Sequence, residues 1–447
     1  MRVALFVHRF LPTSTGGTEL YAFHLARGLL TAGHSVEVYT WAPSKVAKVE
    51  CKEDVFQEIP VCRLSFSLET ANPLRDEYDH PLVAEYLRQR WAAQPPDVVH
   101  ILHFGYLSTS PALVAKELEI PLFVTLTDMW VLCPNGLLLR ADGQLCEGPS
   151  DVGECVRCYA AMGPRGARYA WLVSLLPKWG WRGLARLSRV SFGEGIRYLR
   201  WMNALVQRSQ IVRSRLGYAR TIFCPARFLC DLLQKNGYPQ QNLVWAPHGI
   251  SHPERLRRQS PVGEGPELRF GYIGPLEYYK GAHLLLEAFL LLSPVAKASL
   301  TFWGRPPQGD FDQRLLERIS SETRTVFRGP FNPRDIRAVL EKVDVLVVPS
   351  LCYENTPTVI YEALASGTPV IASDQGGMRE LIMEYKGGWL FPRGDIQALA
   401  ELMESLIREP RRVSQAAEQI RPVPSLEEHL RLVEALYRQN VGSVEVS

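Results

Sequence analysis

The sequence predicts an α/β protein of two domains, each built on a parallel sheet. Three observations carry that expectation. Short apolar runs of strand length alternate with amphipathic helical patterns, the mark of parallel strands covered by helices. The alternation runs through the chain twice, broken by a loop rich in Pro, Gly and charge at Pro253–Pro266. The chain also has 447 residues, more than one core usually organises at roughly 100–200 residues per domain.

In the first half the apolar runs Val3–Val7, Val36–Thr40, Val98–Leu102, Leu122–Leu126 and Thr221–Cys224 predict strands. Glu19–Leu30 lies between the first two and predicts an amphipathic helix ending at Gly33, a fitting C-cap. In the second half Arg269–Ile273, Ser299–Trp303, Thr325–Phe327, Val345–Val348 and Pro369–Ala372 predict strands. Ala282–Leu292, Phe311–Ser320, Pro333–Lys342 and Thr358–Ser366 predict the helices between them. The expected organisation is a Rossmann-like domain over 1–252, a second over 253–424, and a last helical segment, 425–447, packing back on the first. Ligands of such sheets sit at the carboxyl ends of strands, so chemistry is expected in a cleft between the two domains.

Composition excludes more than it assigns. The chain is 46% hydrophobic and 22% charged with a net charge of +3, ordinary for a globular protein and uninformative about partners. The N-terminus does not read as a signal peptide, and no apolar run nears the roughly 18 residues of a membrane span. The expected location is therefore the cytoplasm. Neither G-x-G-x-x-G nor G-x-x-x-x-G-K-[ST] occurs, which weighs against dinucleotide and P-loop chemistry.

The most informative stretch runs from Val345 to Glu380. A buried strand ends at Pro349-Ser350, a polar loop carries Glu354 and Asn355, and a helix starts at Thr356-Pro357-Thr358. Pro is tolerated in a helix's first turn because its missing N–H has no intrahelical role there. The free N–H groups and the dipole make the helix start an anion site. Glu362 follows within the same helix. Carboxylates that accept hydroxyl hydrogens, set around a diphosphate site, suit a nucleotide-sugar; two surface carboxylates on an ordinary helix are the bland reading.

The segment Tyr353–Ala372, with seven residues between Glu354 and Glu362, resembles the E-x7-E signature of the family 4 retaining glycosyltransferases, and Ser373–Glu380 continues it. Gly271–Phe289 resembles that family's strand–loop–helix, with Gly274 ending the strand and Lys280-Gly281 at its Lys-Gly. Pro12–Leu29 resembles its glycine loop and first helix, with Gly16-Gly17 at the glycines. The resemblance implies the GT-B fold and metal-independent transfer from a nucleotide-diphosphate-sugar, with no cofactor for catalysis. By resemblance Glu354 holds hydroxyls of the transferred sugar, Glu362 the ribose and Lys280 the diphosphate, and Gly16-Gly17 let backbone N–H groups approach the ligand. The physical logic agrees, because a departing diphosphate gathers negative charge that cations and a helix start stabilise.

Two positions depart from the family pattern. Pro275 stands where a second diphosphate cation is usual, and Arg305, after the next expected strand, is a substitute if it is not simply a surface charge. Thr127-Asp128 stands where a His is common; a hydroxyl hydrogen-bonds a sugar but carries no charge near neutral pH. Asp128 or His103 compensates in part, with His103 expected at the cleft and His100 packed inside the sheet. These departures keep open a weak or inactive nucleotide-sugar-binding scaffold protein, and a nucleotide-sugar epimerase of the same fold.

Cys133, Cys146, Cys155 and Cys158 cluster in a loop, 133–158, with little periodic pattern. A structural zinc ion held by four thiolates is one reading, and free thiols or a disulfide are the others. Cys51, Cys62, Cys224, Cys230 and Cys352 are scattered and expected as small core side chains. Tyr159–Arg220 has twelve Lys and Arg against one acidic residue, Glu194, with Trp171, Trp179, Trp181 and Trp201 interleaved. An anionic membrane surface on the inner face and a plain helical insertion are both compatible with it; nucleic acid is disfavoured for lack of a motif. The expected function is transfer of a sugar to a glycan or lipid-linked acceptor in cell-surface polysaccharide or glycoconjugate synthesis.

Overall fold

The computed structural model describes residues 1–441 apart from 47, 69, 71, 150, 163–179, 184–187, 189–196 and 306–308. The chain groups into two compact units. The first takes Met1–Pro225, Cys230–Ala246 and the chain from Leu430; the second takes Ala226–Leu229 and Pro247–His429.

The first unit runs β1 (Arg2–Val7), α1 (Gly17–Thr31), β2 (Ser35–Pro43), β3 (Glu50–Phe56), β4 (Ile59–Phe66), α2 (Pro73–Asp76), α3 (Pro81–Ala93), β5 (Val98–Ile101), α4 (Ser110–Glu117), β6 (Leu122–Thr125), α5 (Val152–Met162), α6 (Arg197–Leu216), β7 (Thr221–Cys224), the part of α7 (Arg227–Lys235) from Cys230 on, and β8 (Leu243–Trp245). Its sheet order is β3-β4-β2-β1-β5-β6-β7-β8. Every pairing is parallel except β3 with β4. β1 is central, which explains why Val3–Val7 is buried on both faces and reads as a continuous apolar run.

Two features of this unit depart from expectation. β3 is an edge strand whose Glu50, Lys52, Glu53 and Asp54 carry no apolar period, as edges that resist further pairing commonly do. Cys51 and Cys62, expected as separate thiols, are joined by a disulfide, because the antiparallel β3–β4 pair brings their Cα atoms to 5.7 Å.

The second unit runs β9 (Leu268–Ile273), α8 (Ala282–Leu290), β10 (Ala298–Trp303), α9 (Asp310–Ser321), β11 (Thr325–Phe327), α10 (Ile336–Leu340), β12 (Val345–Val348), α11 (Thr358–Ser366), β13 (Val370–Ser373), α12 (Gly376–Tyr385), β14 (Gly388–Phe391), α13 (Ile396–Arg408), α14 (Arg411–Gln419) and the start of α15 (Leu426–Val441). Its sheet, ordered β11-β10-β9-β12-β13-β14, is parallel throughout. From Leu430 onward α15 groups with the first unit, where the Tyr437 hydroxyl lies 2.5 Å from His100 Nδ1. His100 is fully buried and its Nε2 meets the Thr125 hydroxyl at 2.8 Å, so it is a packed core histidine as expected.

Much of the basic segment 159–220, Trp171 and Trp179 included, lies outside the described residues. Of the rest, Trp181 is buried and Trp201 packs against Tyr159 with ring centroids 5.7 Å apart. Among the described residues no helix is long and apolar enough to cross a membrane.

Candidate functional site

In the second unit the carboxyl ends of β9 and β12 set the chemistry. After Gly274 the chain turns through Pro275, whose carbonyl accepts a 2.6 Å hydrogen bond from the buried Tyr272 hydroxyl. A single helical turn, Tyr278–Lys280, then leads into α8. Gly281 has φ of +75°, and a Cβ there would stand 2.0 Å from the Pro349 carbonyl oxygen. Only glycine lets these two loops touch, which places Lys280 against the end of β12.

Lys280 Nζ lies 2.6 Å from Glu354 Oε1 and donates to it; the Ser350 hydroxyl donates to the same oxygen at 3.0 Å. Burial works against a charged Lys280, but the facing Glu354 outweighs it and raises the ammonium pKa. The loop that carries Glu354 is held from below. Buried Gln375 donates through Nε2 to the carbonyls of Ser350 and Cys352 at 2.8 and 2.7 Å. Gly377 N–H donates to the Glu354 carbonyl at 2.9 Å, and a Cβ on Gly377 would sit 1.3 Å from the Asn355 carbonyl oxygen. The glycine pair after β13 therefore shapes the Glu354–Asn355 loop.

α11 begins at Thr358 with Pro357 as its N-cap and no side chain capping it. Its first N–H groups are left for an anion, with Thr356 and Pro357 half-buried and Thr358 exposed at that end. Glu362 follows on the same helix, and burial lifts its carboxyl to about 7. Arg305 is exposed directly after Gly304 at the end of β10, a direct neighbour of β9 in the sheet. Glu380 accepts the N–H groups of Arg227, at 2.8 Å, and of Phe228, a structural role.

In the first unit the ends of β1, β5 and β6, neighbours in the sheet, gather a second set. His103 Nδ1 accepts the Gly105 N–H at 2.9 Å, so the neutral ring carries its proton on Nε2 and donates it to Asp128 Oδ2 at 3.0 Å. Asp128 Oδ1 accepts the Trp130 N–H at 3.0 Å. Burial alone would raise the Asp128 pKa, but His103 and that N–H hold it below the ordinary carboxylate value. Thr127 donates its hydroxyl to the Leu102 carbonyl at 3.0 Å. His103 and Thr127 are thus at the sheet's carboxyl end, but both are engaged within the protein.

His8 and Glu19 join this set without having been expected from the sequence. The His8 ring packs on His103 with centroids 4.0 Å apart. Burial, and then the facing His103, lower the His8 pKa to about 3. Neutral His8 is therefore no ion-pair partner for Glu19, 3.6 Å away at Oε1. Glu19 instead accepts the Ser14 hydroxyl at 2.5 Å, and a Cβ on Gly16 would stand 2.5 Å from its Oε2. Gly16 is the uncapped N-cap of α1, which starts at Gly17. The signal for His8 is a polar side chain directly after the central strand β1; Glu19 offers none, being indistinguishable from a first-turn helix acid.

None of Cys133, Cys146, Cys155 and Cys158 is in a disulfide. Among the described residues no three His, Cys, Asp or Glu side chains are grouped so as to hold a metal as they stand.

Residues 254–422 match the family described as glycosyl transferases group 1, and residues 16–173 match the glycosyl transferase 4-like domain. The chain is 32% identical over 426 residues to a glycogen synthase of Mycobacterium tuberculosis, covering 92% of this chain and 87% of that one. It is 36% identical over 177 residues to the amylovoran biosynthesis glycosyltransferase AmsK of Erwinia amylovora, 37% of this chain and 42% of that one. Other curated relatives are likewise matched over less than half their own length. Among solved structures, Anabaena Alr3699/HepE, crystallised with UDP and glucose, superposes with a TM-score of 0.61 at 17% identity, covering both chains completely. At that identity the likeness speaks for the fold.

Proposed function

The chain belongs to the family 4, group 1 glycosyltransferases of the GT-B fold, and we propose that it moves a sugar from a nucleotide-diphosphate-sugar to a glycan or lipid-linked acceptor with retention of anomeric configuration. The observation that carries this reading is the Lys280–Glu354 pair, 2.6 Å apart, beside the uncapped start of α11. Glu354 accepts hydroxyl hydrogens of the transferred sugar, and Glu362 those of the ribose. The departing diphosphate gathers charge as the glycosidic bond to it breaks. Lys280, the first N–H groups of α11 and Arg305 stabilise that charge, doing without a metal what a divalent cation does elsewhere. Gly16-Gly17 let backbone N–H groups approach the donor phosphate or the acceptor, and the His103–Asp128 pair belongs to the acceptor side. UDP or a UDP-sugar is the first donor to test, because HepE was solved with UDP and glucose. A polysaccharide or glycoconjugate product is favoured by relatives named for glycogen and amylovoran.

One observation favours a second reading. Thr127 and His103 are hydrogen-bonded within the protein, and Pro275 supplies no cation. A protein that binds nucleotide-sugar without turning it over would tolerate both.

Donor and product analysis separates these. Incubation with a panel of nucleotide-sugars and acceptors should yield a linkage of the donor's own configuration, unaffected by EDTA and abolished in Glu354→Ala. An inverted linkage overturns retention. Donor that binds but never turns over establishes the scaffold, and donor rearranged without an acceptor points to an epimerase.

A further inference from the structure

The first unit holds a cavity of 320 Å³ between α2 and α6 that the transferase reading does not use. That volume lies at the small end of small-ligand pockets, roughly 300–1,000 Å³. Asn72 and Arg75 line it from the α2 side, and Arg200, Asn203, Ala204 and Gln207 line it from α6. Arg200, Asn203 and Gln207 recur at helical spacing and so share one face of α6. The walls are fixed. The Tyr78 hydroxyl donates to the Ala204 carbonyl at 2.8 Å, and buried Arg208 donates to the Trp130 carbonyl.

A gap between packed helices is ordinarily filled by apolar side chains or by polar groups that satisfy one another. Here polar groups are left over. Asn72 stands at the N-cap of α2 without capping it, and its side-chain amide has no hydrogen-bond partner among the described residues. Asn203 Oδ1 accepts from Gln207 Nε2 at 3.1 Å, which leaves the Asn203 amide N–H groups and the Gln207 carbonyl for another partner. Charge points the same way. No carboxylate lines the cavity, and α6 carries five arginines and no acidic residue. Of these, Arg208 faces Glu77 and Arg215 reaches Asp79 at 3.5 Å. Asp79 also takes Arg75, at 3.3 Å, and Asp76 is the acid of α2 itself. Among the described residues Arg75, Arg200 and Arg215 therefore outnumber the acids beside them, Asp76 and Asp79.

We propose that this cavity binds an anionic sugar, a hydroxyl-bearing ring that carries one carboxylate or phosphate. The planar forks of Arg75 and Arg200 take the anion, one from each wall, a geometry that suits carboxylate and phosphate oxygens. The amides of Asn72, Asn203 and Gln207 give and accept hydrogen bonds with the ring hydroxyls. Ala204 is the single apolar residue in the lining, so an uncharged apolar ligand gains little there. The Lys280–Glu354 pair belongs to the second unit, and this proposal does not depend on the transferase reading.

Calorimetric titration of the full-length protein with glucuronate, glucose 1-phosphate, glucose and inorganic phosphate tests it. Glucuronate or glucose 1-phosphate should bind about tenfold or more tightly than neutral glucose, and which of them does so tells carboxylate from phosphate. Arg75→Ala and Arg200→Ala should each weaken that sugar about tenfold or more. Arg220→Ala, at an exposed position of the same unit, and Lys280→Ala should bind it as wild type does. Asn203→Asp keeps the acceptor for Gln207 and adds a carboxylate to the cavity. It should weaken the charged sugar and not glucose, which keeps the test open where an arginine variant does not fold. Four results overturn the proposal: neither charged sugar bound at tens of millimolar, glucose bound as tightly, inorganic phosphate bound as tightly as the charged sugar, or an equal loss in Lys280→Ala.

Discussion

Lys280 and Glu354 neutralise each other across the gap between β9 and β12, with Nζ 2.6 Å from Oε1 and both side chains largely shielded from solvent. Two regions 74 residues apart in sequence thus meet in one ion pair. On the proposed reading, donor binding recruits both charges, the ammonium toward phosphate and the carboxylate toward sugar hydroxyls, without leaving either alone.

Removing the ammonium tests that coupling. Lys280→Ala should lower kcat/KM by about 10²–10³, in the range of losing one preorganised stabiliser of transition-state charge. It should also lower Tm, because Glu354 is left without its counter-charge. The double variant with Glu354→Ala should recover part of the Tm and none of the activity. Thermal denaturation and initial-rate assays of the three variants check this; a fully additive Tm loss would show that the pair contributes nothing to folding.

If Glu362 holds the ribose as proposed, it makes donor binding depend on pH. Its carboxyl is lifted to about 7 by burial, above its ordinary value of 4.5. The folded state therefore holds a proton there that the unfolded state loses, and stability falls as pH rises through that window. Glu362→Gln should be more stable than wild type above pH 7, on the order of 2 kcal/mol. A carboxylate that accepts ribose hydroxyls binds best ionised, so wild-type donor affinity should weaken as pH drops below about 7. Calorimetric titrations across pH should show this slope flattened in Glu362→Gln.

Two glycines near the site separate loop shape from backbone freedom. Gly377→Ala places a methyl 1.3 Å from the Asn355 carbonyl oxygen, so the Glu354 loop or α12 must move. Gly367, the αL C-cap of α11, has open space around it, so Gly367→Ala bears only the strain of its φ of +82°, about 1 kcal/mol. Gly377→Ala should therefore abolish donor binding, measured by calorimetry, while Gly367→Ala lowers Tm modestly and binds normally. Equal effects would mean that loop position is not what Gly377 protects.

How far the sequence reveals this site follows from the range of the interactions involved. Glu354, Glu362 and the start of α11 lie on one local strand–loop–helix, where spacing and Pro357 are informative. The support from Gln375 and Gly377 depends on a close approach between segments some twenty residues apart, and no local pattern encodes it. β3 is hidden because an exposed edge strand needs no apolar alternation, and the Cys51–Cys62 bond is hidden with it. For His103 the position is legible but its chemistry is not, since the Gly105 N–H that fixes its tautomer is a backbone contact.

The His8–His103 ring contact gives the first unit a distinct acid response. Burial and the neighbouring ring depress His8 to about 3, against an ordinary value of 6.5. Between those values the unfolded chain binds a proton at this residue and the folded one does not. The stability that neutral His8 contributes is present above about pH 6.5 and is lost as pH falls toward 3. His8→Phe keeps a ring packed on His103 and removes the titration. Urea denaturation at pH 7 and at about pH 4.5 should show wild type losing about 2 kcal/mol more than the variant over that interval, discounting for the part of the ring that reaches solvent. Parallel losses would mean that His8 is reached by water and already charges in the folded state, and the His103–Asp128 pair would then sit beside a cation at low pH.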